Sequence, residues 1–359
     1  MVVIPVAPLT QLVTDVFHAE GCSAAEAGRI AKYLMSASLT GHDSHGVLRT
    51  PRYVWWLRDG LVKADQELEI VTDTAAFALV DGRHGFGQTI APQAVKLGID
   101  RAKSQGVAIV ALRNSGHIGR VGDWAEMAVA AGLISVHFAN VAGSQLVAPF
   151  GGVDRRMSTA PFTVGFPMAG AEPVILDFAT SMVAEGKIMV AANGGKALPP
   201  DVLIDQDGSY SNDPRKLYGD VATAVNRGPR NGTGAIRAMG EHKGSGLALI
   251  CELLAGAFTN SGCCGPGNRP TANGMLSFYI DPAGLGLAQT MTAEARTYLD
   301  WVKSSRPAKP GGEVLLPGEP ERRLRAQRMK DGVPLPDEGW NGICEIARTA
   351  GIDPKHYHG

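Results

Sequence analysis

The sequence predicts a mixed α/β chain, and three observations carry that reading. Apolar strand-like runs alternate with segments of helical period between residues 77 and 138, as packed layers of sheet and helix require. The first sixty residues keep helical spacing almost throughout. Glycine supplies 45 of 359 residues with no three-residue period, which excludes collagen and points to many tight turns. At ~150 residues per domain, the length suggests about two domains.

Leu9, Leu12, Val13, Val16 and Phe17 predict a first helix that Gly21 ends. Ser23-Ala-Ala-Glu26 reads as a capping box opening a second, with Ile30 and Leu34 on its buried face and Gly41 after it. The polar turn His42 to Gly46 leads into a third helix containing Pro51, Tyr53, Trp55, Trp56 and Leu57 before Gly60. Phe77–Asp81 predicts a strand, Gln88–Ser104 a helix and Gly106–Leu112 a buried strand. Gly122–Ala131 predicts a helix, Leu133–Phe138 a strand, and Val174–Asp177 a strand entering a helix through Thr180 and Ser181. Residues 201–240, polar and rich in Gly and Pro, predict an excursion of loops. An apolar helix over Gly244–Phe258, a strand over Met275–Asp281 and a helix over Thr292–Ser304 follow. Two further helical stretches end near Ala350. No internal repeat is present, and nothing in the pattern fixes strand order.

The net charge of -1 and the lack of any basic tract exclude a nucleic-acid partner. No apolar run approaches the ~20 residues that span a bilayer, so no membrane is expected. The first residues lack a positive n-region, so no secretion signal is read. Five cysteines (Cys22, Cys251, Cys263, Cys264, Cys344) form an odd set without metal-ligand spacing, which suits a reducing cytoplasm and no metal. There is no Gly-x-Gly-x-x-Gly after a strand, no Walker A sequence, no Gly-x-Ser-x-Gly elbow and no His-Glu-x-x-His.

The densest polar cluster is His42-Asp43-Ser44-His45-Gly46-Val47-Leu48-Arg49. If the third helix starts near Ser44, His45 and Arg49 share a face four residues apart. A guanidinium clamps a carboxylate through two hydrogen bonds, and an imidazole exchanges a proton near neutral pH. The competing reading is a solvated helix start capped by Asp43 or Ser44. Arg113-Asn114-Ser115-Gly116-His117-Ile118-Gly119 joins a strand to a helix, either as a ligand site or as a plain capped turn. Ile175 to Ser181, with Gly186-Lys187 beyond, offers hydroxyls and backbone N–H groups for a ribose or phosphate, or only local caps. Glu241-His242-Lys243-Gly244 brings a cation to a helix start, or leaves it solvated.

Taken together, these clusters resemble the malate/L-lactate dehydrogenase family, which is unrelated to the Rossmann-type enzymes of similar name. That family also holds ureidoglycolate, sulfolactate and diketogulonate dehydrogenases and piperideine-carboxylate reductases. The matching segments are Gly41–Gly46, His117–Gly122 with Trp124-Ala-Glu126, Val147–Phe150, Leu176–Ser181 with Gly186-Lys187, Glu241–Gly244 and Leu315–Glu319, all in family order. The resemblance implies an α/β (α+β) fold with a non-Rossmann dinucleotide-binding domain on a largely antiparallel mixed sheet. It adds a helical domain built from the N- and C-terminal segments. The expected division is 1–115 with 305–359 as a helix-rich substrate and dimerisation domain, and 116–304 as the NAD(P)-binding domain. The implied activity is NAD(P)-dependent interconversion of a 2-hydroxy acid and its 2-oxo acid, in a homodimer.

By position, the resemblance makes His45 the proton donor and acceptor, with Ser44 beside it and Arg49 holding the substrate carboxylate. His117 is its rival for acid/base work. His45, His117, Ile118, Gly119, Leu176, Asp177, Phe178, Ala179, Thr180, Ser181, His242, Lys243 and Asn273 would meet the dinucleotide. Pro317, Gly318 and Glu319 would close on its adenosine end. Tyr53 and Thr159 join Arg49 at the substrate. Lys187 stands where the piperideine-carboxylate reductases carry an aspartate, which argues for a hydroxy acid instead of an imine. Ser158-Thr159-Ala160-Pro161 departs from the usual Gly-Thr-Asn-Pro, and loss of the Asn amide bears on substrate hydrogen bonding. NAD is the expected cofactor, with NADP as the alternative, because Glu319 near a ribose repels a phosphate. Two other classes remain: a hydrolase or lyase using Ser44 and His45, and a silent dinucleotide-binding protein. Adjacent Ser and His on one helix point apart, which disfavours the first.

Overall fold

The structure is a computed structural model, and it describes residues 1–192, 196–219, 230–266 and 271–357. The chain opens with β1 (Val2–Ile4), α1 (Val6–Ala19), α2 (Ala24–Leu39) and α3 (Thr50–Arg58). The five apolar residues that predict α1 are all buried. Ser23 accepts the Glu26 N–H, as a capping box requires, but the return bond differs. Ser23 N–H donates to Asp65 and Glu26 accepts the Asp65 N–H, so the box ties α2 to the loop after α3.

Next come β2 (Glu69–Asp73), β3 (Phe77–Asp81), α4 (Gly87–Gln105), β4 (Val107–Ser115), α5 (Gly122–Ala130) and β5 (Ile134–Ala142). Then follow β6 (Pro161–Phe166), β7 (Val174–Ala179) and α6 (Glu185–Ala192). A three-stranded sheet of β8 (Leu203–Ile204), β9 (Tyr210–Ser211) and β10 (Ala235–Ile236), with α7 (Arg215–Tyr218), stands where loops were expected. Residues 220–229 of that excursion lie outside the described residues. α8 (His242–Cys251) runs on as a π-helical turn over Glu252–Phe258. β11 (Ala272–Ile280), α9 (Ala288–Lys303), α10 (Glu319–Asp331), β12 (Val333–Leu335) and α11 (Asp337–Thr349) complete the order.

The main sheet runs β2-β3-β4-β11-β5-β6-β7. Its one parallel pair among the described residues is β3–β4, bridged by α4; the other neighbours are antiparallel. The alternation over 77–138 therefore hides a single βαβ unit, and β11 separates β4 from β5. This is the largely antiparallel mixed sheet that the resemblance implies. β6 escapes sequence reading because Pro161 and Gly165 interrupt its pattern. Proline is tolerated at a strand's first residue, and a Cβ at Gly165 meets Val129 Cγ1 at 2.9 Å and Ala125 O at 3.1 Å on α5.

One apolar core gathers α1, α2, α3 and α11 with the β1–β12 pair, so the two ends of the chain pack together. A second lies under α4 and α5 against the central strands. Register then fixes where chemistry happens. Ser115 faces Asn273, Asn273 faces Val141, and Pro161 faces Ala179. The ends of β4, β5 and β7 and the starts of β6 and β11 thus share one edge of the sheet. The turn after α2 meets that edge.

Candidate active site

At this edge lies a cavity of about 90 Å³, lined among others by His45, Arg49, Arg52, His117, Thr159 and Asn273. The helical start proposed at Ser44 is not what forms. Asp43–His45 and Val47–Arg49 are two short 3-10 turns, and α3 begins at Thr50. His45 and Arg49 still reach one cavity, but through the turn and not along a helix face. Gly46 makes the turn fit: a Cβ there falls 2.1 Å from Ser38 Oγ, the same hydroxyl that accepts the Val47 N–H at 3.0 Å. From the far end of the chain, Arg328 on α10 grips Asp43 through bonds of 2.5 and 3.1 Å and also bonds the Ser38 carbonyl. Arg328→Ala is expected to cost about 1–3 kcal/mol, since it leaves a half-buried carboxylate unpaired. Denaturant unfolding measures the loss, and a fall in kcat should accompany it.

The rings of His45 and His117 stack, centroids 5.4 Å apart and planes 23° apart. Gln88 donates its amide N–H to the Tyr53 hydroxyl at 3.1 Å, and that hydroxyl meets His117 Nδ1 at 2.6 Å. The Tyr53 hydroxyl thereby orients the His117 ring. His45 Nδ1 meets Ser44 Oγ at 3.0 Å. Burial, then the Arg49 charge, draws His45 down to about 3. His117 is lowered well below its ordinary value by the same two causes. Both imidazoles are neutral at pH 7.

Arg49 donates Nε–H to the Ser44 carbonyl at 2.5 Å, which aims the guanidinium and leaves its two NH2 groups for a ligand. Ser44 Oγ reaches His45 Nδ1, contrary to the expectation that neighbouring side chains diverge. Ser44 does not line the cavity, however. Gly186 seals it, with a Cβ there only 2.0 Å from Ser44 Cβ. Ile118 and Gly119 line the cavity, with Thr159 opposite. Asn273 lines it too, but its amide is occupied: Oδ1 accepts the Ile118 N–H at 3.0 Å, and Nδ2 donates to the Asn140 carbonyl at 2.5 Å. Tyr53 acts behind His117 and is itself buried.

The Leu176–Ser181 segment is placed differently from the sequence reading. Asp177 accepts Gly122 N–H at 2.8 Å and Thr163 Oγ1 at 2.7 Å, so its carboxylate anchors the start of α5. Thr180 bonds the Thr159 and Ala160 carbonyls, and Ser181 bonds the Val183 carbonyl. Neither hydroxyl opens a helix, because α6 starts only at Glu185. What remains is backbone. β7 is an edge strand, and Ile175 N–H points outward to Pro317 O. Alternation then turns the Asp177 and Ala179 peptide groups outward as well, while Leu176 and Phe178 are half-buried.

His242 and Lys243 start α8 as exposed side chains that line neither cavity, and Lys187 is likewise exposed on α6. The structure therefore brings none of these three to the His45 cavity. Glu319 pairs with Lys303 at 2.5 Å and accepts the Leu316 N–H at 2.9 Å in the turn before its helix. Ala160, φ 30°, packs against Ala248 and Cys251 and not into the cavity, so an Asn here would not face substrate directly.

A second cavity of about 730 Å³ lies beyond Arg120, with Ile175, Gly318, Glu321 and Arg325 in its wall. Gly119 and Val121 face the small cavity while Arg120 between them faces the large one. Arg120 is held by Asp123 at 3.0 Å and Glu126 at 2.7 Å. Sequence reading missed Arg52, Glu185, Arg230 and Gln88. Only Arg52 left a signal, three residues after Arg49 at helical spacing. Among the described residues no group of His, Cys, Asp or Glu side chains is disposed to hold a metal ion.

The sequence model for malate/L-lactate dehydrogenase matches residues 4–344. The chain is 38% identical over 349 residues to hydroxycarboxylate dehydrogenase B of Escherichia coli (strain K12), covering 96% of this chain and 93% of the relative. It is 33% identical to the L-sulfolactate dehydrogenase of Methanothermobacter thermautotrophicus, covering 90% of each. The solved sulfolactate dehydrogenase of Methanocaldococcus jannaschii is 30% identical and superposes with a TM-score of 0.84 over 99% of both chains. The chain belongs to the malate/L-lactate dehydrogenase family.

Proposed function

We propose that this chain interconverts a 2-hydroxy acid and its 2-oxo acid with NAD, His45 moving the proton and Arg49 holding the substrate carboxylate. Its family makes it a 2-hydroxy acid dehydrogenase that works with a nicotinamide cofactor. The observation that carries the residue roles is the meeting of two neutral imidazoles and an aimed guanidinium at one small cavity.

The residues present fit a dinucleotide. The outward peptide groups of β7 offer donors and acceptors, and the turn 117–121 borders both cavities. Ile118 and Gly119 would hold the nicotinamide half, and Arg120 and Gly318 the adenosine half. When bound, the cofactor supplies or accepts the hydride. Glu319 favours the hydroxyls of NAD over a phosphate; because Lys303 offsets its charge, NADP is the competing outcome.

In oxidation, neutral His45 takes the hydroxyl proton. In reduction, the substrate carboxylate offsets Arg49, one of the two main causes of the low His45 pKa, so that a proton on His45 becomes accessible. His117, stacked on His45, stands beside the same oxygen as a hydrogen-bond partner. Tyr53→Phe removes the bond that orients this ring. It is expected to lower kcat about 10-fold with little change in KM, as steady-state kinetics can read.

The same proposal includes a homodimer, a cytoplasmic setting and two domains. The outward residues Leu249, Ile250, Leu253 and Phe258 form an apolar face on α8 and its π turn that suits a second copy. No disulfide joins any of the five cysteines among the described residues, which suits a reducing compartment. The shared core of the two chain ends supports a helical domain from those segments. β2 to β4 belong to the sheet, which moves the proposed first boundary from residue 115 back to before β2.

Absorbance at 340 nm, with NADH or NADPH and a panel of 2-oxo acids, tests the reading. Oxidation of the cofactor supports it. Binding without turnover supports a silent dinucleotide-binding protein. Carboxylate breakdown without cofactor supports a hydrolase or lyase instead.

A further inference from the structure

We propose that Glu185 is a positioning residue for the reduction step: held by Arg230, it gives the small cavity a fixed negative charge that balances the proton carried by His45. This rests on the dehydrogenase reading and on the His45 role within it. Among the described residues, four charged side chains line the cavity: the guanidinium groups of Arg49, Arg52 and Arg230 and the carboxylate of Glu185. A wall of guanidinium groups alone attracts a 2-oxo acid but repels a proton from the imidazole beside it. The carboxylate offsets that repulsion.

Glu185 opens α6, one residue before Gly186, and the packing of Gly186 on Ser44 sets this helix start against the turn that carries His45. The buried carboxylate accepts Arg230 Nε–H at 2.6 Å and the Tyr218 hydroxyl at 3.4 Å, both on Oε1. Arg155 secures both partners, because its guanidinium donates to the Leu217, Arg230, Gly232 and Gly234 carbonyls. Burial works against the ionised carboxylate, but Arg230, then Arg52 and Arg49, outweigh it and hold Glu185 at about 2. It is an anion at every working pH.

His45 meets charge from each element around it. Its own segment brings Arg49 and His42, the turn after β4 brings Arg120 and the stacked His117, and α6 brings Glu185. Arg52 lines the same cavity from α3, and Arg230 from beyond α7. Burial first, then Arg49, His42 and Arg120, opposes a proton on the His45 ring, and Glu185 favours one. Removing the carboxylate therefore makes an anion easier to bind and a proton harder to hold. Removing the Arg230 charge does the reverse. Removing both leaves the net charge of the cavity as it was.

The test compares wild type with Glu185→Gln, Arg230→Gln and the double variant. Steady-state kinetics use the 2-oxo acid that wild type reduces fastest, and calorimetry titrates oxamate into cofactor-loaded protein. Glu185→Gln should lower the reductive kcat about 10-fold while oxamate binds tighter, two changes in opposite directions. Arg230→Gln should weaken oxamate binding about 10-fold without that fall in kcat. The double variant should regain most of the kcat lost in Glu185→Gln. A residue that only supports the fold lowers kcat and oxamate affinity together, and the second substitution then adds to the loss; that result overturns the proposal. So does an unchanged kcat in Glu185→Gln. The double variant also covers a Glu185→Gln chain too unstable to assay, since it leaves no lone partner of the buried pair. It should then turn over within about 10-fold of wild type, and a loss beyond about 10²-fold overturns the proposal. If wild type reduces no 2-oxo acid, the dehydrogenase reading fails. The oxamate affinities still decide the charge role, which is refuted if neither substitution moves them.

Discussion

His45→Ala is expected to lower kcat for 2-oxo acid reduction by about 10²–10⁴-fold, the range a matched general acid supplies. Cofactor affinity should change little, because the turn is held by Ser38, Arg328 and the Gly46 packing and not by the imidazole. The wild-type pH profile carries a sharper signature. Burial and Arg49 hold His45 at about 3 in the free protein. The protonated fraction needed for reduction therefore falls tenfold with each pH unit above that value. The reductive kcat/KM should decline with a slope near -1 across pH 6–8, while the oxidative kcat/KM, which needs neutral His45, stays level there. A reductive profile flat up to pH 7 contradicts this assignment.

Arg49→Ala should lower kcat/KM for 2-oxo acids by about 10²–10³-fold, since a charge-assisted clamp on the carboxylate is lost. The same change removes the like charge that ranks second, after burial, in lowering His45. Its pKa should rise, and the reductive limb should bend at a higher pH in the variant than in wild type. Two readouts thus come from one substitution: a loss of carboxylate binding and a shifted profile. Unchanged kcat/KM for 2-oxo acids refutes the clamp. An unshifted profile separates Arg49 from His45 electrostatically.

The sequence makes the helical layer legible because α1 and α2 bury one periodic stripe and end at glycines with positive φ, Gly21 and Gly41. It makes β3, β4 and β5 legible because each is an apolar run between turn residues. Their neighbours are not legible. β11 inserts between β4 and β5 from far along the chain, a long-range pairing with no local trace. β2 is exposed along its whole length, so its residues carry no burial pattern.

The site divides in the same way. His45, Arg49 and His117 stand in short motifs that keep their places whatever the local geometry, so the cluster was readable although its helix was not. The 3-10 turns depend on Gly46 packing on Ser38 and on Arg328, contacts that spacing cannot show. Asp177, Thr180 and Ser181 look like ligand groups because they are polar at a strand end, but α5, the approach to β6 and the Val183 carbonyl use them first. Arg52, Glu185 and Arg230 come from three separate elements. Only the folded chain shows that their charges share one cavity.

The most direct test of the account is a complex of the protein with reduced cofactor and oxamate, solved at atomic detail. The account predicts the oxamate carboxylate paired with both terminal nitrogens of Arg49, and its amide oxygen within hydrogen-bond reach of His45. Oxamate seated elsewhere, or with His45 and Arg49 both turned from it, contradicts the account.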